Sequence, residues 1–345
     1  MTNLRGLAVG LKRSFCAFGY AITVSTQSYQ IKKDVYKFLK ETADDADAEI
    51  AFKVHDFGAR GVSSQETAAI GGAAHLVNFT GSDTMAALLL HRKFYNCTTA
   101  GFSIPAAEHS TITSWGRDNE IEAYRNMLKH FAKPGKAVAV VSDSWNIYNA
   151  VEKIWGEQLK QEVIDSGATI VIRPDSGEPV EVVSKVAAIL GEKFGFDVNS
   201  KGFKVIKNVR IIQGDGVNQN SIRAILQRLK DENFSASNIA FGIGGSLLQK
   251  IDRDTLKFAY KCSAIVTNGE WRDVFKQPIT DSGKNSKKGR LDLVIEDGEF
   301  QTVKLEESVA LAAENSQLRT VYENGELLID DSLDEIRKRA AEDFV

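Results

Sequence analysis

Residues 209–248 read VRIIQGDGVNQNSIRAILQRLKDENFSASNIAFGIGGSLL. A β-rich run from Val209 to Ile212, broken once by Arg210, meets a Gly-Asp-Gly turn. A segment with Ile222, Ile225, Leu226 and Leu229 on one helical face follows, then a second run from Asn238 to Phe241 and a glycine turn. Apolar spacings of three and four mark a helix packed on one side, and a short near-continuous apolar run marks a strand covered on both faces. Two such strands joined by a helix form a parallel βα unit, because a tight turn cannot join parallel neighbours.

Upstream, the pattern repeats back to about Glu49. It predicts strands at Ile50 to Val54, Leu76 to Phe79, Gly101 to Ile104, Ala137 to Val141 and Thr169 to Ile172, and a helix carrying Val180, Val183, Ala187 and Leu190. Polar or glycine signals follow nearly every strand: His-Asp-Phe-Gly at 55–58, Gly-Ser-Asp at 81–83, Ala-Glu-His-Ser at 107–110, Ser-Asp-Ser at 142–144, Arg-Pro-Asp-Ser-Gly at 173–177, Gly-Asp-Gly at 214–216 and Gly-Ile-Gly-Gly at 242–245. An open doubly wound sheet gathers its ligands at one switch point. A barrel brings every strand end to one mouth, so the distribution favours an α/β barrel with a single site.

After about Arg253 the character changes. Leu291 to Ile295 and Phe300 to Leu305 flank Asp-Gly at 297–298, and Thr320 to Tyr322 and Leu327 to Ile329 flank Asn-Gly at 324–325, which predicts antiparallel hairpins. Ser332 and Glu335 form a capping box for a terminal helix through Ile336 and Ala340. Near the start, Ile31, Val35, Phe38 and Leu39 share a helical face before an acidic loop, Asp44 to Glu49. The expected organisation is a partial α+β segment at 1–48, an α/β barrel at 49–253, and hairpins plus helix of the α+β domain at 254–345.

The chain has 345 residues, 43% hydrophobic and 26% charged, an ordinary globular composition that excludes disordered, collagenous and fibrous classes. Lys plus Arg is 43 and Asp plus Glu 46, a net charge of −3. No nucleic-acid or membrane surface is advertised, and any bound anion must be held locally. Cys16, Cys97 and Cys262 are scattered, odd in number and without a CxxC, which argues against disulfides or structural zinc and for a reducing, cytoplasmic setting. No run of eighteen apolar residues is present. Lys12 and Arg13 before an uncharged stretch from Ser14 to Thr26 mimic a leader, but no cleavage site follows and secretion is not expected.

Several constellations have both a chemical and a bland reading. Gly242 to Leu248 forms a glycine turn into a helix start, where backbone N–H groups and the dipole hold a monophosphate; an empty tight turn looks the same. Arg253 lies one to two turns further on and can add a fork of donors. Arg173 and Asp175, two apart, point to one side of a strand end as site residues or as an internal ion pair. Asp143, Asp175 and Asp215 suit ribose hydroxyls and a hydrated Mg²⁺, or are helix caps. His109 suits an acid, a base or a phosphate acceptor, or is a hydrogen-bonded loop histidine. Arg60 suits a diphosphate or is an exposed arginine. Phe57 offers a stacking face or is core.

Taken together, His55 to Gly58 with Arg60 to Glu66, Pro105 to Thr111, Arg173 to Gly177, Gln213 to Gly216 and Phe241 to Lys250 resemble the nicotinamide phosphoribosyltransferase family. Members are type II phosphoribosyltransferases with an irregular (β/α) barrel, a second α+β domain built from both chain ends, and sites at a homodimer interface. The resemblance implies phosphoribosyl transfer from phosphoribosyl pyrophosphate to nicotinamide, giving nicotinamide mononucleotide and pyrophosphate with Mg²⁺, and ATP as an optional coupled substrate. By matching positions, Phe57 would stack on the pyridine ring, and Asp83 and Arg173 would bind its carboxamide. Asp175 would hold the ribose with Asp143, Gly214 and Asp215 nearby, and Gly244, Gly245 and Arg253 the 5′-phosphate. Arg60 and His109 would meet the pyrophosphate, His109 being the residue phosphorylated when ATP is hydrolysed. Lys261 would serve the neighbouring subunit's phosphate site.

A carboxylate at Asp83 accepts from an amide NH₂ and repels a carboxylate, which favours nicotinamide over nicotinate. The alternatives are a nicotinate phosphoribosyltransferase and a non-catalytic phosphoribosyl-ligand binder. The binder is kept because the family's Asp-Ser-Tyr-Lys stretch, whose tyrosine covers the other pyridine face from the partner, has no match here. The expectation is therefore an N-terminally truncated or split family member. Ile243 and Ser246 also depart from the family's serine and glycine.

Overall fold

A computed structural model of the chain describes residues 18–306 and 316–342. Lys12, Arg13 and Cys16 lie outside the described residues. Six parallel strands build the central sheet: β1 (Val54–Asp56), β2 (Gly81–Ser82), β3 (Ala137–Val141), β4 (Thr169–Arg173), β5 (Val209–Gln213) and β6 (Ile239–Ile243), in the order β2-β1-β6-β5-β4-β3. The quoted stretch folds as a βα unit, with β5 and β6 paired through Ile211↔Ile239 and Gln213↔Phe241.

The two edges of the sheet are joined by an irregular segment. Phe102 bridges Gly81 on β2, and Ala106 bridges Ala139 on β3. Phe102 N donates to Thr80 O at 2.7 Å and Ala139 N to Pro105 O at 2.9 Å. The sheet is thus curled into an irregular α/β barrel whose remaining stave is made of single bridges. The strand expected at Gly101 to Ile104 is reduced to these contacts, because Pro105 has no N–H to give a ladder.

Helices α1 (Phe18–Thr42), α2 (Gln65–His75), α3 (Met85–Phe94), α4 (Glu120–Phe131), α5 (Pro179–Phe194) and α6 (Gln219–Asp231) cover the outer face. Val183, Val186, Ala187 and Leu190 of α5 and Ile222, Ile225, Leu226 and Leu229 of α6 are buried, the faces read from their spacing. Asn218 caps α6 through a reciprocal box with Ser221. The inner face is thinner: Ala139, Val171 and Ile212 pack with Phe57 and Ile104.

Two strand assignments shift. Ile50 ends a short helix, Ala46–Ile50, started by Asp45 accepting from Ala48 N, and β1 begins only at Val54. Leu76 caps α2, and the strand follows at Gly81. Ile50, Val54, Leu76 and Phe79 of these two runs are core, whereas Phe52 is exposed; a short apolar run specifies burial better than it specifies strand.

The described residues divide into a large unit, Tyr20–Leu256 with the segment from Ser332, and a small one built on Lys257–Asp331. The small unit contains three hairpins: Ala264–Thr267 with Glu270–Asp273, Leu291–Glu296 with Glu299–Lys304, and Tyr322–Glu323 with Glu326–Leu327. All three turn through positive-φ pairs, Asn268-Gly269, Asp297-Gly298 and Asn324-Gly325, the type I′ chemistry that matches strand twist. The first of these hairpins was not read from sequence. The terminal helix α7 (Leu333–Glu342) starts at the Ser332–Glu335 box, with Ser332 N donating to Glu335 Oε2 at 2.7 Å.

Candidate active site

Every parallel strand ends in a residue of the candidate site. After β1, Asp56 is fully buried and its Oδ1 accepts from Gly58 N at 2.7 Å; burial pushes its carboxyl up. That bond, and Phe57 N to Ile243 O at 2.9 Å, fix the backbone that presents Phe57. The Phe57 ring lies across two glycines. A Cβ built at Gly242 would sit 2.0 Å from its Cε2, and one at Gly214 3.6 Å away. Only glycine at 242 admits the ring there.

After β2, Asp83 N donates to Asp56 O at 3.0 Å and the exposed carboxylate accepts from Ser103 Oγ at 2.5 Å. After β3, Asp143 is held with its side chain 5% exposed, 2.9 Å from His109 Nε2. His109 opens a short helix, His109–Thr113, whose N-cap Glu108 accepts from Ser110 N. With Nε2 turned to Asp143, Nδ1 is the nitrogen open to a ligand. After β4, Arg173 Nη2 stands 3.7 Å from Asp175 Oδ2. Burial pushes the Asp175 carboxyl up; Arg173 opposes this, and the Asp143 and Asp215 carboxylates add to it. After β5, Gln213 Nε2 holds Asp215 O at 2.7 Å.

The glycine turn after β6 completes a cavity of about 320 Å³ lined by Phe57, Arg60, Gly214, Asp215, Gly244, Gly245 and Lys250, among others. A second cavity, about 420 Å³, lies on the inner face between His55, Ile104, Val171 and Ile212, with Lys53 and Arg210 at one end. Lys53 Nζ donates to Ala236 O at 3.0 Å and pairs with Glu49 at 2.9 Å. Burial pushes Lys53 and His55 down.

The structure therefore brings Phe57, Arg60, Gly214, Asp215, Gly244 and Gly245 to one cavity. It gathers His109, Asp143, Arg173 and Asp215 around Asp175, and sets Asp83 just past β2 with its N–H on Asp56 O, the residue before Phe57. Arg253 is not among the cavity's lining residues; it is largely exposed and pairs with Asp254 at 2.7 Å. Lys261 is an exposed residue of the small unit. Sequence reasoning missed Lys250, which lines the glycine cradle, and Ser103, which orients Asp83. Lys250 had a signal: it lies on the same path past the glycine turn that nominated Arg253. Ser103 had none, because its partner is twenty residues away.

Among the described residues no group of three or more His, Cys, Asp or Glu side chains is arranged to hold a metal, and no helix is long and apolar enough to cross a membrane.

Comparison with known proteins identifies the family and the fold. The profile of the nicotinate phosphoribosyltransferase (NAPRTase) family matches residues 52–326. A nicotinamide phosphoribosyltransferase of Xanthomonas campestris pv. campestris (strain 8004) is 56% identical, over 93% of this chain and 69% of that protein. One from Acinetobacter baylyi is 32% identical, over 93% of this chain and 67% of its own length. Among solved structures, nicotinate-nucleotide pyrophosphorylase from Pyrococcus furiosus superposes with a TM-score of 0.58 at 17% identity, covering 94% of this chain and 69% of that one. That likeness is one of fold.

Proposed function

The chain belongs to the nicotinate phosphoribosyltransferase family, and from that premise we propose that it transfers phosphoribose from phosphoribosyl pyrophosphate to nicotinamide. The products are nicotinamide mononucleotide and pyrophosphate, a salvage step toward NAD. The choice of amide over acid is carried by one observation: Asp83, an exposed carboxylate just past β2 and tied by its N–H to Asp56 O beside Phe57, accepts a Ser103 hydrogen on Oδ1, and among the described residues no hydrogen bond reaches its Oδ2. A carboxamide NH₂ can donate there, whereas nicotinate would bring like charge to the same place.

The proposed roles follow the geometry. Phe57, pressed against Gly242, offers its ring to the pyridine. The turn at Gly244 and Gly245, with Lys250 beside it, receives the 5′-phosphate. Asp175, with Asp143 and Asp215 near, faces the ribose as positive charge develops on it, while Arg60 and His109 meet the departing pyrophosphate. No enzyme–ribose bond is required. The Asp143 and Asp215 carboxylates both push Asp175 up, and these residues would meet a hydrated Mg²⁺ arriving on the diphosphate through its waters, since among the described residues no side-chain group is arranged to ligate a metal directly. The ion would neutralise charge on the leaving group. ATP is the proposed coupled substrate, with His109 Nδ1 as acceptor. We also place the enzyme in the cytoplasm and as a homodimer, with Lys261 serving the neighbouring subunit.

Initial rates of mononucleotide formation with Mg²⁺, comparing nicotinamide with nicotinate, test the proposal. Asp83→Asn is expected to lower the preference for nicotinamide at least about tenfold. A wild-type chain that prefers nicotinate, or one that binds phosphoribosyl pyrophosphate without turnover, would sink it.

A further inference from the structure

Nine residues, Ala150–Gln158, form a π-helix closed by Leu159 N to Ile154 O at 2.8 Å. Such turns are rare and concentrate near functional sites, because they redirect a side chain at the expense of regular hydrogen bonding. Here the side chain delivered is Trp155, fully buried and stacked on Tyr124 at 4.7 Å and 15°. Gly156 lets α5 approach the turn: a Cβ there would stand 2.6 Å from Lys193 Cγ.

The indole Nε1–H donates to Ser142 Oγ at 3.1 Å. Ser142 gives its own hydroxyl hydrogen to Val140 O at 3.0 Å, and its N–H to Arg173 O at 3.0 Å. The residue immediately before Asp143 is therefore held from three directions: its own strand, β4 and the π-helix. Asp143 in turn makes the 2.9 Å contact to His109.

Resting on the phosphoribosyl-transfer reading above, we infer that Trp155 is a positioning residue for the His109–Asp143 pair, acting through Ser142. A buried tryptophan N–H needs some acceptor, but this acceptor lies one residue from the Asp143 carboxylate that meets His109 and on the backbone link to Arg173. With its hydrogen given to Val140 O, the Ser142 oxygen accepts the indole N–H. Losing the indole N–H frees the hydroxyl to rotate and loosens the chain that aims Asp143.

Trp155→Phe keeps the ring on Tyr124 and removes the N–H. The expected result is about a tenfold fall in kcat with KM for nicotinamide moving less than about twofold, since misaimed groups act on the chemical step. In an Asp143→Asn background the same change should cost less than about twofold, because the path to His109 is already cut. The ring ¹⁵N spectrum of His109, which reports its Nε2–H bond without turnover, should move toward that of Asp143→Asn. Ser142→Ala, which removes the acceptor and leaves the indole, should repeat the pattern, and it serves if Trp155→Phe does not fold. Equal loss in both backgrounds, or an unmoved His109 spectrum in the variants, overturns the inference. A wild-type chain without turnover overturns the transfer reading instead, and the spectra still decide the role of Trp155.

Discussion

Gly242 does more for the site than a residue without a side chain is expected to do. A methyl there would meet the Phe57 ring at 2.0 Å, and because Phe57's backbone is pinned to Ile243 the ring must move rather than the strand. Gly242→Ala should therefore raise KM for the pyridine substrate about tenfold or more, at a stability cost of about 1–3 kcal/mol. Steady-state kinetics beside thermal unfolding check this. Lys250 and Arg253 form a second comparison at the same scale. Lys250 lines the cradle, whereas Arg253 pairs with Asp254 in open solvent. Lys250→Ala should weaken phosphoribosyl pyrophosphate more than Arg253→Ala does in the isolated subunit, measured by titration calorimetry.

At the level of elements, α2 is tied to β1 by His75. Its Nδ1 meets Ser28 Oγ at 2.9 Å, Nε2 meets Val54 O at 3.3 Å, and the ring stacks on Phe79 at 5.2 Å. Burial holds this imidazole at about 4. The unfolded chain, with an ordinary histidine near 6.5, binds the proton more readily between those values. The stability due to neutral His75 is thus complete above pH 6.5 and is lost as pH falls toward 4, a drop of a few kcal/mol, roughly 3. Urea unfolding at pH 7 and pH 4.5 should show a steeper acid loss for wild type than for His75→Gln. Parallel slopes would contradict the assignment.

For the large unit as a whole, the terminal helix acts as a clasp. Arg337 of α7 donates to Leu76 O at 2.6 Å and to Ala100 O at 2.7 Å, and Leu333 is fully buried beside Ala73, Leu76, Ala87 and Ala100. These carbonyls lie where the barrel is least regular, between α2 and the bridging segment. Arg337→Ala should cost about 2 kcal/mol, lowering Tm by several degrees while kcat stays near wild type. A fall in kcat without a fall in Tm would contradict a structural role.

Much of the molecule could be read before folding. The helical faces of α5 and α6, strands β3 to β6 within about two residues, two of the three small-unit hairpins and the Ser332–Glu335 capping box all rest on local periodicity and turn chemistry. Phe57, Asp83, Asp143, Arg173, Asp175, Asp215, Gly244 and Gly245 lie at one end of the sheet because each follows or ends a strand of it, whereas Arg253 and Lys261 lie elsewhere. By itself the sequence determined the α/β class, the strand-end location of the site and the residue types available there, since hydrophobic period and turn residues are local properties. Only the tertiary structure decided which of those residues meet. It separated Lys250 from Arg253, paired His109 with Asp143, laid Phe57 on Gly242, closed the barrel through Phe102 and Ala106, and ran a hydrogen bond from a π-helix to Ser142. Each of those contacts joins segments whose separation in the chain carries no periodic signal, and each is set by how a curled sheet and its helices pack.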